Sequence, residues 1–437
     1  MNAIIISALL ISAVLIFIVP RRYVTIVILA SALLLPMGPR IDILGFGFTA
    51  IRFLLVFGWL RLIIKSEYRS IKKFHAIDKT LFIFVITTIV TYTLVYQTIG
   101  AFIYRINVAH YVLGTFFLFR FYVIDLDDIE RIIKYLLYIG IIMAFFVVIE
   151  RLSHANYFSI FGGVSPYTIM REGKLRCLGP FSHPITLGSF GAFLIPLAFY
   201  MLWKKKGSMK LGLVGLIASI AIVVSSSSSG PFISLVASVI GLFMWLFRKH
   251  MRIVRWGLLS SLIGLHIVMK APVWALIQRV GVFASSNTYH RYLLVDEFIK
   301  TFSDWWLIGV KVVISEGDDI QLWDTSNNYV LLGKDGGLVS LMLFLIIVAL
   351  CFRHIGRMIS LASGNIDHQK MFWILGVGMF SYLISFWGVS LWDQTTVIWY
   401  TIIAMIASIQ YHNTALSNPA KEAVPAPIKN GLTTKIA

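Results

Sequence analysis

The stretch Arg171-Glu172-Gly173-Lys174-Leu175-Arg176-Cys177-Leu178-Gly179-Pro180-Phe181-Ser182-His183-Pro184 is a polar interruption between apolar runs. Gly179 and Pro180 predict a tight turn, and Ser182 is placed to cap the helix that starts near Ile185. A helix N-terminus beside Arg176 suits a phosphate; the plainer account is a loop whose charges meet lipid headgroups. Ser225 to Gly230 is a serine-rich turn, its hydroxyls suited to bonding nearby backbone. His290 and Arg291 open an amphipathic segment, where the plain account is an arginine on a headgroup. Lys311, Glu316, Asp318, Asp319 and Asp324 then lead into Ser326-Asn327-Asn328-Tyr329. A carboxylate here can act as general base on a hydroxyl, or form a solvated loop face. His183 and His290 are further candidates, because imidazole titrates at about 6.5. Asn327 and Tyr329 suit either sugar hydroxyls or the cap of the next helix. No Ser-His-Asp set, Walker loop or metal-ligand spacing is present, which disfavours an ATP-driven pump and a transferase with a soluble nucleotide-sugar domain.

The elements that must carry these groups are membrane helices. The chain has 437 residues, 58% of them hydrophobic and 13% charged. The charges fall in short clusters between apolar runs at 3–19, 23–37, 43–64, 80–98, 102–119, 134–150, 186–203, 211–226, 231–247, 256–272, 330–352, 371–390 and 394–411. At about 20 residues per crossing these give roughly 12 or 13 spans of an all-α bundle; a β-barrel would alternate apolar and polar residues. The 3–19 run resembles a signal segment but lacks a cleavage site, so it reads as a span. The third run carries Arg52 in mid-span. Cys177 and Cys351 lie in a loop and an apolar run, which predicts no disulfide.

The net charge of +18 reads as basic cytoplasmic loops, not as a nucleic-acid surface. Placing Arg61–Lys73, Arg120–Lys134, Lys204–Lys210, Arg248–Arg255 and Arg353–Arg357 inside gives a consistent alternation. Loops 151–185 and 273–329 then fall outside, and a polar tail, 412–437, falls inside and reads as disordered. Residues 1–411 read as one transmembrane domain. The 290–308 stretch has a helical apolar rhythm, Leu293, Leu294, Phe298, Phe302 and Trp305, and predicts an interfacial helix, the wall of a site, or both.

The order of these clusters resembles the O-antigen ligase and polymerase superfamily, bacterial enzymes of surface-polysaccharide assembly. Arg176 to Pro184 looks like its Arg-x-x-Gly-x-Phe segment, and Ser225 to Gly230 like its Ser-x-Ser-Arg-Gly turn. Arg291 with Trp306-Leu307-Ile308-Gly309-Val310 looks like its arginine, amphipathic helix and Pro-x-x-Gly-x-Gly element. Ser326-Asn327-Asn328-Tyr329-Val330 with Gly337-Leu338-Val339 looks like its His-Asn-x-Tyr-Leu segment and Gly-Leu-Leu ending. The turn arginine of the family falls on Ser229, its proline on Trp306, its second glycine on Lys311 and its loop histidine on Ser326. The last departure argues against a lipid A-core ligase.

The resemblance implies a GT-C-like bundle in a bacterial inner membrane, with a large late periplasmic loop. It implies a donor glycan on undecaprenyl diphosphate and transfer to a sugar hydroxyl at the periplasmic face. Arg176 and Arg291 would hold the diphosphate, with Lys311 third, standing in for the charge missing at Ser229. Asp324, closest to Ser326, is the first choice of base, ahead of His183 and His290. Asn327 and Tyr329 would meet the acceptor. Arginines on the diphosphate make a metal unnecessary, and no cofactor is implied. Membrane lipids and other polysaccharide export proteins are the implied partners. A ligase, a transporter of lipid-linked oligosaccharide and a non-catalytic scaffold stay open; Arg52 and Arg105 in apolar runs favour the transporter.

Overall fold

Apolar helices dominate because each satisfies its own backbone polar groups in lipid. The structure, a computed structural model, describes residues 1–43, 46–70, 74–204, 208–276, 287–311 and 326–410. Its helices are α1 (Ala3–Ile18), α2 (Arg21–Leu34), α3 (Ala50–Ile64), α4 (Ala76–Tyr96), α5 (Ile99–Tyr122), α6 (Leu126–Ser153), α7 (Pro184–Trp203), α8 (Met209–Ser225), α9 (Ser229–Phe243), α10 (Met251–Val268), α11 (Asn287–Lys300), α12 (Asn328–Leu361), α13 (Ile366–Ser385) and α14 (Asp393–Ser408). Every apolar run read from the sequence overlaps one of them. Six helical stretches among the described residues are long and apolar enough to cross a membrane.

The fold is not purely helical. Arg40–Ile43 (β1) pairs antiparallel with Phe46–Thr49 (β2), and Ile169–Arg171 (β3) with Lys174–Arg176 (β4). The first hairpin takes up the start of the third apolar run, so Arg52 sits in the first turn of α3 and not in mid-span. There it donates to the Gly47 carbonyl, and to Asn107 at 3.3 Å. In the second hairpin Glu172 and Gly173 both have positive φ, 53° and 69°, which matches the right-handed twist of the flanking strands.

The central helix is α7. It packs on α8, α9 and α13 through residues without bulk. A Cβ at Gly188 would lie 2.5 Å from the Ser226 hydroxyl, and one at Gly212 would lie 2.8 Å from the Leu202 amide nitrogen. By contrast α10 buries none of its residues, as expected for a helix facing lipid.

Ion pairs and polar bonds collect at two opposite ends of the bundle. At one end Arg61 meets Glu67 and the Val19 carbonyl, Arg120 meets Asp78 at 3.3 Å, and Lys204 meets Glu130. The other end carries both hairpins, the 154–183 loop, the Ser225–Gly230 turn, α11 and the start of α14. Asn2 Nδ2 donates to the Ile160 carbonyl at 2.8 Å, which brings the N-terminus to this second end.

The amphipathic segment forms α11 and a single helical turn, Phe302–Trp305. Leu294, Phe298 and Trp305 are buried with Val330 in a small core of their own, and the Phe298 and Trp305 rings stack at 3.9 Å. Leu293 is only half-buried, and Phe302 and Trp306 stay exposed. The rhythm thus identified the element but over-counted its inward face.

The residues after this turn dock on a break in α12. Gly337 has φ 69° and ψ −175° inside the helix. The freed backbone bonds the docked segment: the Val310 amide donates to the Lys334 carbonyl and the Leu338 amide to the Trp306 carbonyl, each at 2.8 Å. Two of the stretches singled out in the sequence, 306–310 and 337–339, therefore meet through main chain.

Candidate functional site

The loop from Arg176 to His183 is held along its length. Glu150, 1% exposed at the end of α6, accepts the Leu178 and Gly179 amides, one on each carboxylate oxygen, both at 2.9 Å. Such charge-assisted bonds are among the stronger ones. Gly179 turns the chain at φ 54°, and its carbonyl accepts from Asn156 Nδ2 at 2.8 Å. The Cys177 amide donates to the Ser225 carbonyl at 3.0 Å, tying the loop to the serine turn. Gln394 Nε2, from α14, donates to the Pro180 carbonyl at 2.9 Å.

This framework brings Arg176 and Arg291 together from distant parts of the chain. Arg176, 8% exposed at the end of β4, donates from Nη2 to the Ser228 hydroxyl at 2.8 Å. Its Nε is buried without a hydrogen-bond partner. Arg291 comes from α11. Its guanidinium carbon lies 2.9 Å from where a Cβ would stand at Gly388, and its Nη2 lies 3.9 Å from one at Gly230. Gly388 thus leaves room that a side chain there would fill, whereas at Gly230 the contact would be an ordinary one. Burial, then the charges of Arg171 and Arg291, pull the Arg176 guanidinium below its usual pKa, against an opposing pull from Glu172. Two like charges sharing a partly desolvated turn repel one another, and a multiply charged anion relieves that repulsion. Planar guanidinium forks fit phosphate oxygens in pairs.

His183 stands next to this pair in a role the sequence did not suggest. The cap of α7 is His183, not Ser182: its Nδ1 accepts the Ile185 amide at 3.1 Å. Burial, then Arg176 and Arg171, push its pKa down to about 4. The ring is therefore neutral with the proton on Nε2, a donor and a poor base. Ser182 instead donates to the Asp393 carboxylate.

The other candidates separate. His290 is half-buried beside Arg291 on α11, and Lys311 is exposed at the end of the docked segment. Asp324, with Glu316, Asp318 and Asp319, lies outside the described residues. Asn327 caps α12, its side-chain oxygen accepting the Tyr329 and Val330 amides at 3.0 and 3.2 Å. Tyr329 donates to the Leu383 carbonyl at 2.8 Å and packs against Trp387. Both side chains are thus engaged in seating α12.

Sequence reasoning passed over Glu150, Gly388 and Asp393. Glu150 closes an apolar run and reads as the first charge of a loop. Gly388 and Asp393 lie in a short connection with no motif around them; the carboxylate after Trp392 was the available signal.

Fold and site together define the class: a multi-pass helical membrane protein with a paired-arginine cluster built where several loops converge at one end of the bundle. No protein-family model matches the chain, and no curated protein matches it in sequence.

Proposed function

We propose that the chain is a membrane glycosyltransferase that polymerises glycan repeats carried on undecaprenyl diphosphate, of O-antigen, capsule or exopolysaccharide type. The observation that carries this reading is the convergence of Arg176 and Arg291 on the Ser228–Gly230 turn. An acceptor hydroxyl attacks the anomeric carbon of the donor, the bond from that carbon to the phosphate oxygen breaks, and the diphosphate leaves with the electron pair. Charge grows on the leaving group in the transition state, where fixed cations in a low-dielectric site stabilise it most. His183 Nε2 supplies a further donor beside Arg176. Asp324 is the proposed acceptor of the hydroxyl proton.

The test is polymer length in cells carrying Arg291→Ala or Arg176→Ala, with membrane insertion verified. Each should cut polymer yield by about a hundredfold, the usual effect of removing one transition-state donor, leaving single repeat units at the cell surface. An unchanged ladder from either variant would remove that arginine from the reaction.

A second reading, a transporter of lipid-linked oligosaccharide, is favoured by the break at Gly337 and by the partly buried Arg105–Asp335 pair, since broken helices and intramembrane charges mark transport paths. It predicts that Asp335→Asn traps repeat units at the cytoplasmic face, whereas a polymerase variant leaves them outside.

A further inference from the structure

Apart from the arginine cluster, a cavity of about 480 Å³ opens among α3, α4, α5, α12 and α14. Its charged lining is Arg52, Arg105, Asp335 and Asp393, so the formal charges sum to zero. Such a wall does not select an anion, unlike the paired arginines. It is suited instead to a neutral ligand rich in hydrogen-bonding groups. Tyr104 and Trp392 add aromatic faces, a combination of apolar surface and placed polar groups common in small-molecule sites of this size.

Two residues of the wall carry buried donors that no group among the described residues satisfies. Asn328 is 2% exposed; its side-chain oxygen accepts the Leu391 amide at 3.2 Å, and its Nδ2 has no partner. Arg105 is 8% exposed and bonded to Asp335, and its Nε has no partner. A buried donor without a partner is unfavourable, and a small rotation of either side chain lets a ligand hydroxyl accept from it. The cavity also shares a boundary with the arginine site. Ser182, in its lining, lies on the same loop as Arg176 and bonds Asp393.

We infer that this cavity is a subsite for a neutral sugar, the acceptor end of the second glycan. The assignment to the acceptor rests on the transferase reading above; the sugar site itself does not. Asn328 Nδ2 and Arg105 Nε donate to sugar hydroxyls, Asp393 accepts from one, and the rings of Tyr104 and Trp392 cover the apolar face of the sugar.

The test uses the full chain in nanodiscs free of sugar detergents. Saturation-transfer NMR is run with methyl glycosides of neutral hexoses, deoxyhexoses and N-acetylhexosamines, with methyl glucuronide and with inorganic pyrophosphate. At least one neutral glycoside should bind, more strongly than the glucuronide. Asn328→Asp, isosteric and able to keep the bond from Leu391, should weaken it about tenfold, the effect of one lost hydrogen bond to a buried group. Ala109→Phe, which fills the cavity, should abolish it. Arg291→Ala should leave it unchanged while reducing pyrophosphate binding. If no neutral glycoside binds, or if binding survives both cavity variants, the subsite is wrong. If glycosides bind as described but pyrophosphate binding ignores Arg176→Ala and Arg291→Ala, the transferase reading fails and the sugar site stands.

Discussion

Glu150 and Cys177 show how one buried carboxylate can hold a site it does not touch. With both Glu150 oxygens bonded to the Leu178 and Gly179 amides, Glu150→Gln leaves one amide facing an NH2 group. A buried donor left unsatisfied costs about 1–3 kcal/mol, and the loop from Arg176 to His183 should loosen. Cys177 reports this directly. It is wholly buried, and burial first, then the Glu150 charge, push its thiol up to about 12, with Arg151 opposing. In a Cys351→Ala background, Cys177 should resist maleimide at neutral pH and become reactive in Glu150→Gln. Equal reactivity in both would mean that Glu150 does not hold the loop. His183 gives a second, pH-dependent prediction. Its folded pKa of about 4 lies below the ordinary value of 6.5, so the unfolded chain binds the proton more readily. The resulting stability is complete above pH 6.5 and is lost as pH falls through that window toward 4. His183→Asn keeps an N-cap and should flatten this part of the acid profile of thermal unfolding. Loss of the Nε2 donor should lower activity by less than Arg176→Ala does, because a neutral donor stabilises the leaving charge less than a cation; a loss as deep as that of Arg176→Ala would restore a proton-transfer role.

At the scale of elements, the decisive joint is the dock between residues 306–311 and the break in α12. Gly309 has φ 100°, and a Cβ there would lie 2.1 Å from the Lys334 carbonyl oxygen; at Gly337 it would lie 2.6 Å from that of Leu307. A side chain at either place meets backbone as well as a φ that L residues avoid. Gly309→Ala or Gly337→Ala should undock the segment at a cost of about 3 kcal/mol or more, by strain and clash together. Hydrogen exchange at 287–311 should rise while α7 stays protected, and activity should fall with Arg291 intact. Gly356→Ala, with open space at its Cβ, is the control. The helices themselves were legible because a bilayer-length apolar run leaves the backbone little choice. The two hairpins were not, since β1 and β2 are too short to show period-2 alternation against an apolar background. Arg176 and Arg291 stood out as polar residues next to apolar runs, but nothing local tied them to Gly388, which is 97 residues beyond Arg291 in the sequence. Asn327 and Tyr329 were ambiguous for a different reason: an Asx cap and a sugar ligand ask for the same side chains.

For the whole molecule, the contacts sort the connections into two sets at opposite ends, and this constrains topology more than helix length does. The N-terminus bonds Ile160 at the end that holds the arginines. The last helix finishes at the opposite end, where Arg120 reaches the Ser408 hydroxyl at 3.3 Å. An odd number of crossings follows, which favours 13 spans over 12. The end away from the arginines carries the short basic connections; by the positive-inside rule the proposed function expects that end in the cytoplasm and the arginine cluster outside. In a Cys177→Ala, Cys351→Ala background, an impermeant maleimide added to intact spheroplasts should label Tyr167→Cys, a residue 74% exposed. It should label Lys249→Cys only after permeabilisation. The reverse pattern would turn the arginine cluster toward the cytoplasm and defeat a polymerase at the outer face. The expected pattern has an energetic consequence. On the transferase reading proposed above, a site at the outer face has no access to nucleotide sugars, so its donor would have to arrive already activated. Cleavage of the diphosphate linkage would then drive transfer, with the paired arginines placed to stabilise the charge released.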